Sequence, residues 1–465
     1  MKIKKFCYTS LVLALISIES LFALTHEQLS YKIMLNNPNL QNSKKDIELA
    51  TLDLKDSKAA YQPQIELLTS ATYMFNPPIG KIVVTPEDYI NGETGTSGSL
   101  SSLSTIGLDG PVTVYQGMED TYYDFNIKIT QPLYTWDKIN TSVDLYNKVV
   151  SIKSIKSNSL YKKLLSELEA REASIYYLKQ MRENLINQKE IANKLVEVVE
   201  EAYNNNMVIE QEVLEAKIKT KKINIAIKQL EKEENTQISQ IIKLTNDDII
   251  DVDDIEYVVD EKKIESLFSQ TKKEILKKAT SSSSDTLQML SLLKSIKNDQ
   301  LKIANNSIYY KPDLALQVET NYSGYRLPII EKGYYTKDQA GLNFTIAIKT
   351  TLWDGGKKIN DIARKKIERE KSQYNLDNAK NEIAQNVSEN LYTMQLTTAN
   401  IEYQELNSQI INKKIVNLVQ EYKQGFNDIS SILKKQLELK ASEIETYKQK
   451  IERAKSYYTI MYLIS

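Results

Sequence analysis

The chain has 465 residues, with 60 Lys and Arg against 61 Asp and Glu, a net charge of −1 and a pI near 6.2. That balance removes the electrostatic case for nucleic-acid binding. A single cysteine, Cys7, and a single histidine, His26, exclude a metal site of the Cys/His kind and any triad that needs a histidine base.

Residues 1–23 read as a secretory signal, the first of the expected segments. Lys2, Lys4 and Lys5 form a basic start, Leu11 to Ile18 a short apolar core, and Ala23 a small residue at a cut site. The apolar run is shorter than the roughly 20 residues of a membrane-spanning helix. Cys7 precedes that core, so the mature chain would carry neither cysteine nor lipid anchor; an uncleaved anchor is the alternative. Thr25-His26-Glu27-Gln28 then has the capping-box pattern that opens a helix, which makes His26 a solvated first-turn residue. Asn36-Asn37-Pro38 interrupts this helix, and a second follows from about Asn39 to Ala60.

No glycine or proline occurs from Leu133 to Lys311, and only Gly425 from Lys357 to the end. Their absence predicts very long helices over 138–203 and 357–422, each about 100 Å at roughly 1.5 Å per residue. Leu164, Leu168, Ile175, Leu178, Met181 and Leu185, and then Ile383, Val387, Leu391 and Met394, recur at coiled-coil spacings. Each rod turns back, at Tyr203–Glu210 and Tyr422–Ile429, into return helices over 211–244 and 430–465. Gly425 takes a left-handed turn without strain, and Asn206, the matching residue, is the next best choice.

The sequence is written twice. Tyr61-Gln62-Pro63-Gln64 recurs as Tyr310-Lys311-Pro312-Asp313, and Leu133-Tyr134 as Leu352-Trp353. Tyr203, Met207, Val213 and Leu214 recur as Tyr422, Phe426, Ile432 and Leu433. The reading is a first repeat over 24–244, a connector over 245–284 and a second repeat over 285–465. Four strands alternate apolar and polar residues, over 64–75, 121–131, 313–322 and 340–350. They flank an extracellular loop, 76–120, and its shorter counterpart, 323–339. Strands of about ten residues with one apolar and one polar face fit a membrane barrel with a wet lumen; a soluble sandwich, with its apolar face inward, is the competing reading. Four strands cannot close a barrel, whose smallest bacterial forms have about eight. An open edge in lipid costs several kcal/mol for each unpaired group, so subunits must pool strands. In the connector, Asp247, Asp248, Asp251, Asp253 and Asp254 form an acidic cluster, read as a solvated linker because no glycine turn gives it a calcium-loop form. A single helix is expected near Lys262–Lys278.

These pieces together resemble the TolC family of outer-membrane efflux proteins, over the whole mature chain. Leu352-Trp353-Asp354-Gly355-Gly356-Lys357 resembles the family's strand-to-helix signature, Tyr422-Lys423-Gln424-Gly425 its turn motif and Asn36-Asn37-Pro38 its first helix break. In the first copy Thr135-Trp136-Asp137 stands where Asp-Gly-Gly would be. The resemblance implies a mainly α protein with a membrane β-barrel: a homotrimer whose shared twelve-stranded barrel continues into a periplasmic α-helical coiled-coil barrel. Such a protein is a passive exit duct, with no catalytic residue, cofactor or metal. It sits in outer-membrane lipid and docks onto a periplasmic adaptor and an inner-membrane transporter through helix tips that carry Asn206, Met207, Gly425 and Phe426.

By the same resemblance the pore constriction falls at Glu212 and Glu215 in the first copy, at Ser431 and Lys434 in the second, and at Tyr422. The second copy therefore departs from the family's acidic ring, and Asn427 stands where a basic partner is often found. The rival function is a periplasmic coiled-coil adaptor, a scaffold without a pore; an enzyme built on the acidic cluster is more remote.

Overall fold

The computed structural model describes residues 24–75, 82–84, 112–115, 120–247, 251–282, 284–327, 330, 332 and 340–464. The expected signal over 1–23, most of the loop 76–120, Asp248 and most of 328–339 lie outside the described residues. The protein is mainly helical.

The elements follow from local chemistry. Strand β1 (Leu24–Thr25) leads into helix α1 (His26–Asn36), where Thr25 and Gln28 form the capping box. Helix α2 (Pro38–Ala59) starts with proline at its first position, where a missing N–H costs nothing. The Asn37 side chain caps it, accepting from the backbone N–H of Asn39 and of Leu40, both at 3.1 Å. Strand β2 (Gln64–Tyr73) follows. A short pair, β3 (Ile82–Val84) and β4 (Val112–Tyr115), falls inside the expected loop. Strand β5 (Thr121–Tyr134) outruns its expected end at 131, because a register shift at Pro132/Tyr134 lets the ladder pass a residue that has no N–H to give.

Helix α3 (Lys138–Asn204) has 67 residues and turns into α4 (Glu210–Thr245). After β6 (Ile255–Glu256) the connector holds two helices, α5 (Glu261–Ser266) and α6 (Lys272–Ala279), not one. The split comes at Thr271, whose hydroxyl and Glu274 form a second capping box that starts α6 afresh. Helix α7 (Asp285–Asn305), strands β7 (Asp313–Gly324) and β8 (Ala340–Lys349), helix α8 (Lys357–Lys423, again 67 residues) and helix α9 (Ile429–Ile464) complete the chain.

Two compact units form. The first comprises the described residues up to Asp53, Leu145–Asn298 and Lys366 onward. Its core is built from the two apolar series of the rods. Leu178, Met181 and Leu185 of α3 meet Ile223 and Leu230 of α4, and the Lys217–Glu200 and Arg182–Glu234 pairs, each 2.8 Å, fix the helices antiparallel. Ile383, Val387, Leu391 and Met394 of α8 are buried together with Ile264, Leu267 and Ile275 of the connector and Ala454, Tyr457 and Ile460 of α9. The connector is thus more than a solvated linker. Val252 and Ile255 are buried, Asp247 pairs with Lys32 at 2.6 Å, and Asp253 pairs with Arg182 at 3.0 Å.

The second unit comprises Leu54–Asp144 and Asp299–Lys365. It holds a four-stranded antiparallel sheet in the order β2-β5-β7-β8, with β2 and β8 each paired on one side among the described residues.

Candidate channel wall and helix turns

The register sorts the sheet's side chains into rows. Gln64, Thr130, Gln317 and Thr345 stand in line across the four strands, and next to them Glu66, Lys128, Glu319 and Asn343. Side chains alternate faces along a strand, so these two rows share one side. There Asn126 donates to Glu319, and Ser323 donates to Asp124 at 2.9 Å. On the other side Ile65, Ile129, Val318 and Phe344 form a row, followed by Leu67, Ile127, Thr320 and Leu342. This apolar side is bare: Leu67 is 65 %, Phe344 70 % and Ile346 67 % exposed. A sandwich would cover it; among the described residues nothing does.

The join from β8 to α8 explains the Asp-Gly-Gly signature. Asp354 accepts from the backbone N–H of Gly356 at 3.1 Å and of Lys358 at 3.0 Å, which caps the helix start. Gly355 and Gly356 take φ of 67° and 83°, in the left-handed region. Leu352 and Trp353 just before them are exposed. The join from β5 to α3 has the same backbone without glycine, since Trp136 and Asp137 sit at φ of 54° and 64°. Their side chains hold the turn: the Trp136 indole N–H donates to Pro312 O at 2.8 Å, and Asp137 accepts from Lys302 and from Asn140. Nothing lies within 4 Å of a Cβ built on Gly356. Gly356→Ala should therefore cost about 1–2 kcal/mol through backbone strain alone. A lowered thermal unfolding midpoint checks this, and an unchanged midpoint would show that the turn relaxes.

The two far turns share one hydrogen-bond scheme. Asn206 N–H donates to Tyr203 O at 2.9 Å and Met207 N–H to Ala202 O at 2.8 Å; Gly425 N–H donates to Tyr422 O at 3.0 Å and Phe426 N–H to Glu421 O at 2.9 Å. This is the paired closure of a Schellman end, with Asn206 (φ 56°) and Gly425 (φ 81°) at its left-handed position. Met207, 76 % exposed, and Phe426, 81 % exposed, stand out from the two turns.

Beyond the turns, Val213 and Ala216 of α4 and Leu433 of α9 are buried in one cluster with Leu195 and Val199 of α3. This cluster brings the first turns of α4 and α9 together. Glu212 is half-buried; Glu215 is exposed and accepts from Gln211 at 3.0 Å. Ser431 and Lys434 are half-buried, and Tyr422 is exposed. No hydrogen bond or ion pair joins Glu212 or Glu215 to Ser431, Lys434 or Tyr422 among the described residues. Asn427 donates to Glu421 at 3.0 Å, within its own turn.

Asp428 escaped the sequence reading. It accepts from the Ser431 N–H at 2.9 Å, the Ser431 hydroxyl at 2.7 Å and the Ser430 hydroxyl at 2.8 Å, and so caps α9. Burial opposes its ionisation. The Ser431 and Ser430 hydrogen bonds and the nearby Lys434 outweigh that and hold the carboxyl below its usual range. The Asp-x-x-Ser spacing was a readable cap signal.

His26 is not the solvated first-turn residue expected from the capping box: its Nδ1 lies 2.7 Å from Oε2 of Glu172, a fully buried carboxylate.

No helix among the described residues is long and apolar enough to cross a membrane. The open amphipathic sheet of one unit and the long paired helices of the other are elements of a fold found in solved structures of outer-membrane channels. The chain superposes on the outer membrane protein VceC of Vibrio cholerae with a TM-score of 0.71 at 13 % identity, over 94 % of this chain and 95 % of that one. It superposes on the Campylobacter jejuni CmeC outer membrane channel with a TM-score of 0.72 at 11 % identity, over 94 % and 85 %. The open state of the Neisseria gonorrhoeae MtrE outer membrane channel gives 0.65 at 11 % identity, over 94 % and 88 %. No protein-family model matches the chain, and no curated protein matches its sequence.

Proposed function

We propose that the protein is one subunit of a trimeric outer-membrane exit duct, a passive channel of the TolC kind that serves an inner-membrane transporter through a periplasmic adaptor. The observation that carries this reading is the sheet, with one bare apolar face, one polar face and two outer edges unpaired among the described residues. Lipid against the apolar face and sister strands against both edges satisfy all three conditions at once. Three copies pool twelve strands around a wet lumen, an arrangement consistent with the channel folds that the chain matches.

A second bare stripe supports assembly. Tyr392, Leu396, Tyr403, Leu406 and Ile410 lie exposed along α8 at spacings of three, four and seven, a coiled-coil seam without a partner among the described residues. The equal 67-residue lengths of α3 and α8 and the matched turns that follow them favour an internal duplication. The exposed Met207 and Phe426 suit a dry contact with the adaptor, and residues 1–23 suit export to the periplasm. An adaptor without a pore would leave the sheet's apolar face unexplained. The mass of the detergent-purified full-length protein tests the assembly: three copies are expected, and a stable detergent-free monomer would overturn it.

In this reading Glu212 and Glu215 set the charge of the narrow end, with Ser431 and Lys434 beside them, while Tyr422 ties neighbouring turns. Threefold repetition multiplies each charge, so a few side chains set a strong local field. Glu212→Ala with Glu215→Ala should lower cation preference and raise single-channel conductance in planar bilayers. Unchanged conductance and selectivity would remove these residues from the gate.

A further inference from the structure

The chain's only histidine is built into a packed, charged site that the channel reading does not use. His26 opens α1. Its Nδ1 meets Glu172 of α3 at 2.7 Å, and its Nε2 lies 3.4 Å from the Ser30 hydroxyl. Glu172 is fully buried, and its other oxygen, Oε1, has no hydrogen-bond partner among the described residues. A buried carboxylate with one empty oxygen depends on a positive partner. We propose that His26 and Glu172 form a clasp that fastens α1 to α3 and loosens when the imidazole gives up its proton.

Charged and titratable groups face the pair from each element packed around it. Helix α3 also brings Glu169 and α1 brings Glu27, both of which favour the imidazolium. Lys263 of α5 acts on Glu169. The Tyr257 ring stands 6.2 Å from the imidazole, and its hydroxyl meets that of Tyr458 of α9 at 2.7 Å. Tyr257, Tyr457 and Tyr458 all have raised phenol pKa values, chiefly through burial, with Tyr257 pushed up to about 12. These hydroxyls therefore stay neutral while His26 titrates.

The signs agree. The hydrogen bond to Glu172 raises His26 above its ordinary 6.5 against the opposing effect of burial. Its contribution is thus full below 6.5 and is lost as pH rises through the higher folded value. Burial raises Glu172 and Glu169, so their ionisation with rising pH weakens the site in the same direction. Leu29 and Ile33, one and two turns along α1, are buried in the core that the clasp closes. The Lys32–Asp247 pair, at 2.6 Å, is a second tether of α1 that does not involve His26, so α1 loosens without leaving.

The test is hydrogen exchange of the full-length protein in detergent, corrected for intrinsic rate, between about pH 6 and about pH 8.5. Protection of the 29–33 amides should fall with rising pH over this range in the wild type, by about threefold or more. It should stay flat in Glu172→Gln, while the 383–394 amides stay flat in both. If Glu172→Gln does not fold, His26→Gln takes its place with the same flat profile expected. A flat wild type, or an equal decline in the variant, overturns the clasp. This outcome does not depend on whether the protein conducts.

Discussion

Replacing Glu261 by leucine should destabilise the helical unit by about 3–5 kcal/mol, the usual cost of leaving a buried partner charge uncompensated. Glu261 sits at the start of α5 and gathers three groups. The Arg453 guanidinium of α9 reaches Oε2 at 2.5 Å, Lys450 reaches Oε1 at 3.3 Å, and the Tyr177 hydroxyl of α3 donates to Oε1 at 2.5 Å. The Arg453 side chain is only 5 % exposed, and its Nε already lacks an acceptor among the described residues. Without the carboxylate, a buried cation and a buried phenol both lose their partner. Adding Arg453→Met should restore much of the loss, because an apolar pair of similar volume removes the stranded charge. Urea unfolding followed by helical circular dichroism checks both variants; a single variant as stable as the wild type would show that water reaches Arg453. The pH dependence has a definite sign. Burial alone would raise Glu261, but the Tyr177 hydrogen bond and the charges of Lys450 and Arg453 outweigh it and leave its pKa lowered. Its contribution is therefore present above the unfolded value of 4.5 and lost as pH falls through the lower folded value.

Lysines on the bare face of the sheet should prevent membrane insertion. Leu67 and Leu342 stand in one cross-strand row, within the two outer strands. A lysine near the bilayer midplane of a barrel's lipid face costs about 2–4 kcal/mol, and the proposed threefold assembly would repeat that cost. Leu67→Lys with Leu342→Lys should fail to float with lipid vesicles. Asn343→Lys, one residue along β8 and on the polar face, should float as the wild type does. The contrast between neighbouring residues is the point: equal behaviour of positions 342 and 343 would remove the lipid from the account.

Much of this was legible because it is local. The long helices follow from missing glycine and proline, and the strands from alternation that a single register then converts into rows. The left-handed turn at Gly425 follows from its missing Cβ, and that at Asn206 from the tolerance of asparagine. What escaped was set by partners far along the chain. The capping box at Thr25 says that a helix begins; it says nothing of Glu172, so the role of His26 could not be read. The left-handed Trp136 and Asp137 break the usual rule for side-chain-bearing residues, and only the contacts to Pro312 and Lys302 explain them. The proposed constriction residues are a different case, since in the proposed assembly the pore wall is shared between copies and no single chain's sequence contains its geometry.

The most direct test of the central claim is electrical. Purified full-length protein added to a planar lipid bilayer should produce discrete, long-lived conductance steps of uniform size. A bilayer that stays sealed while the protein remains in detergent-free buffer as a single copy would contradict it.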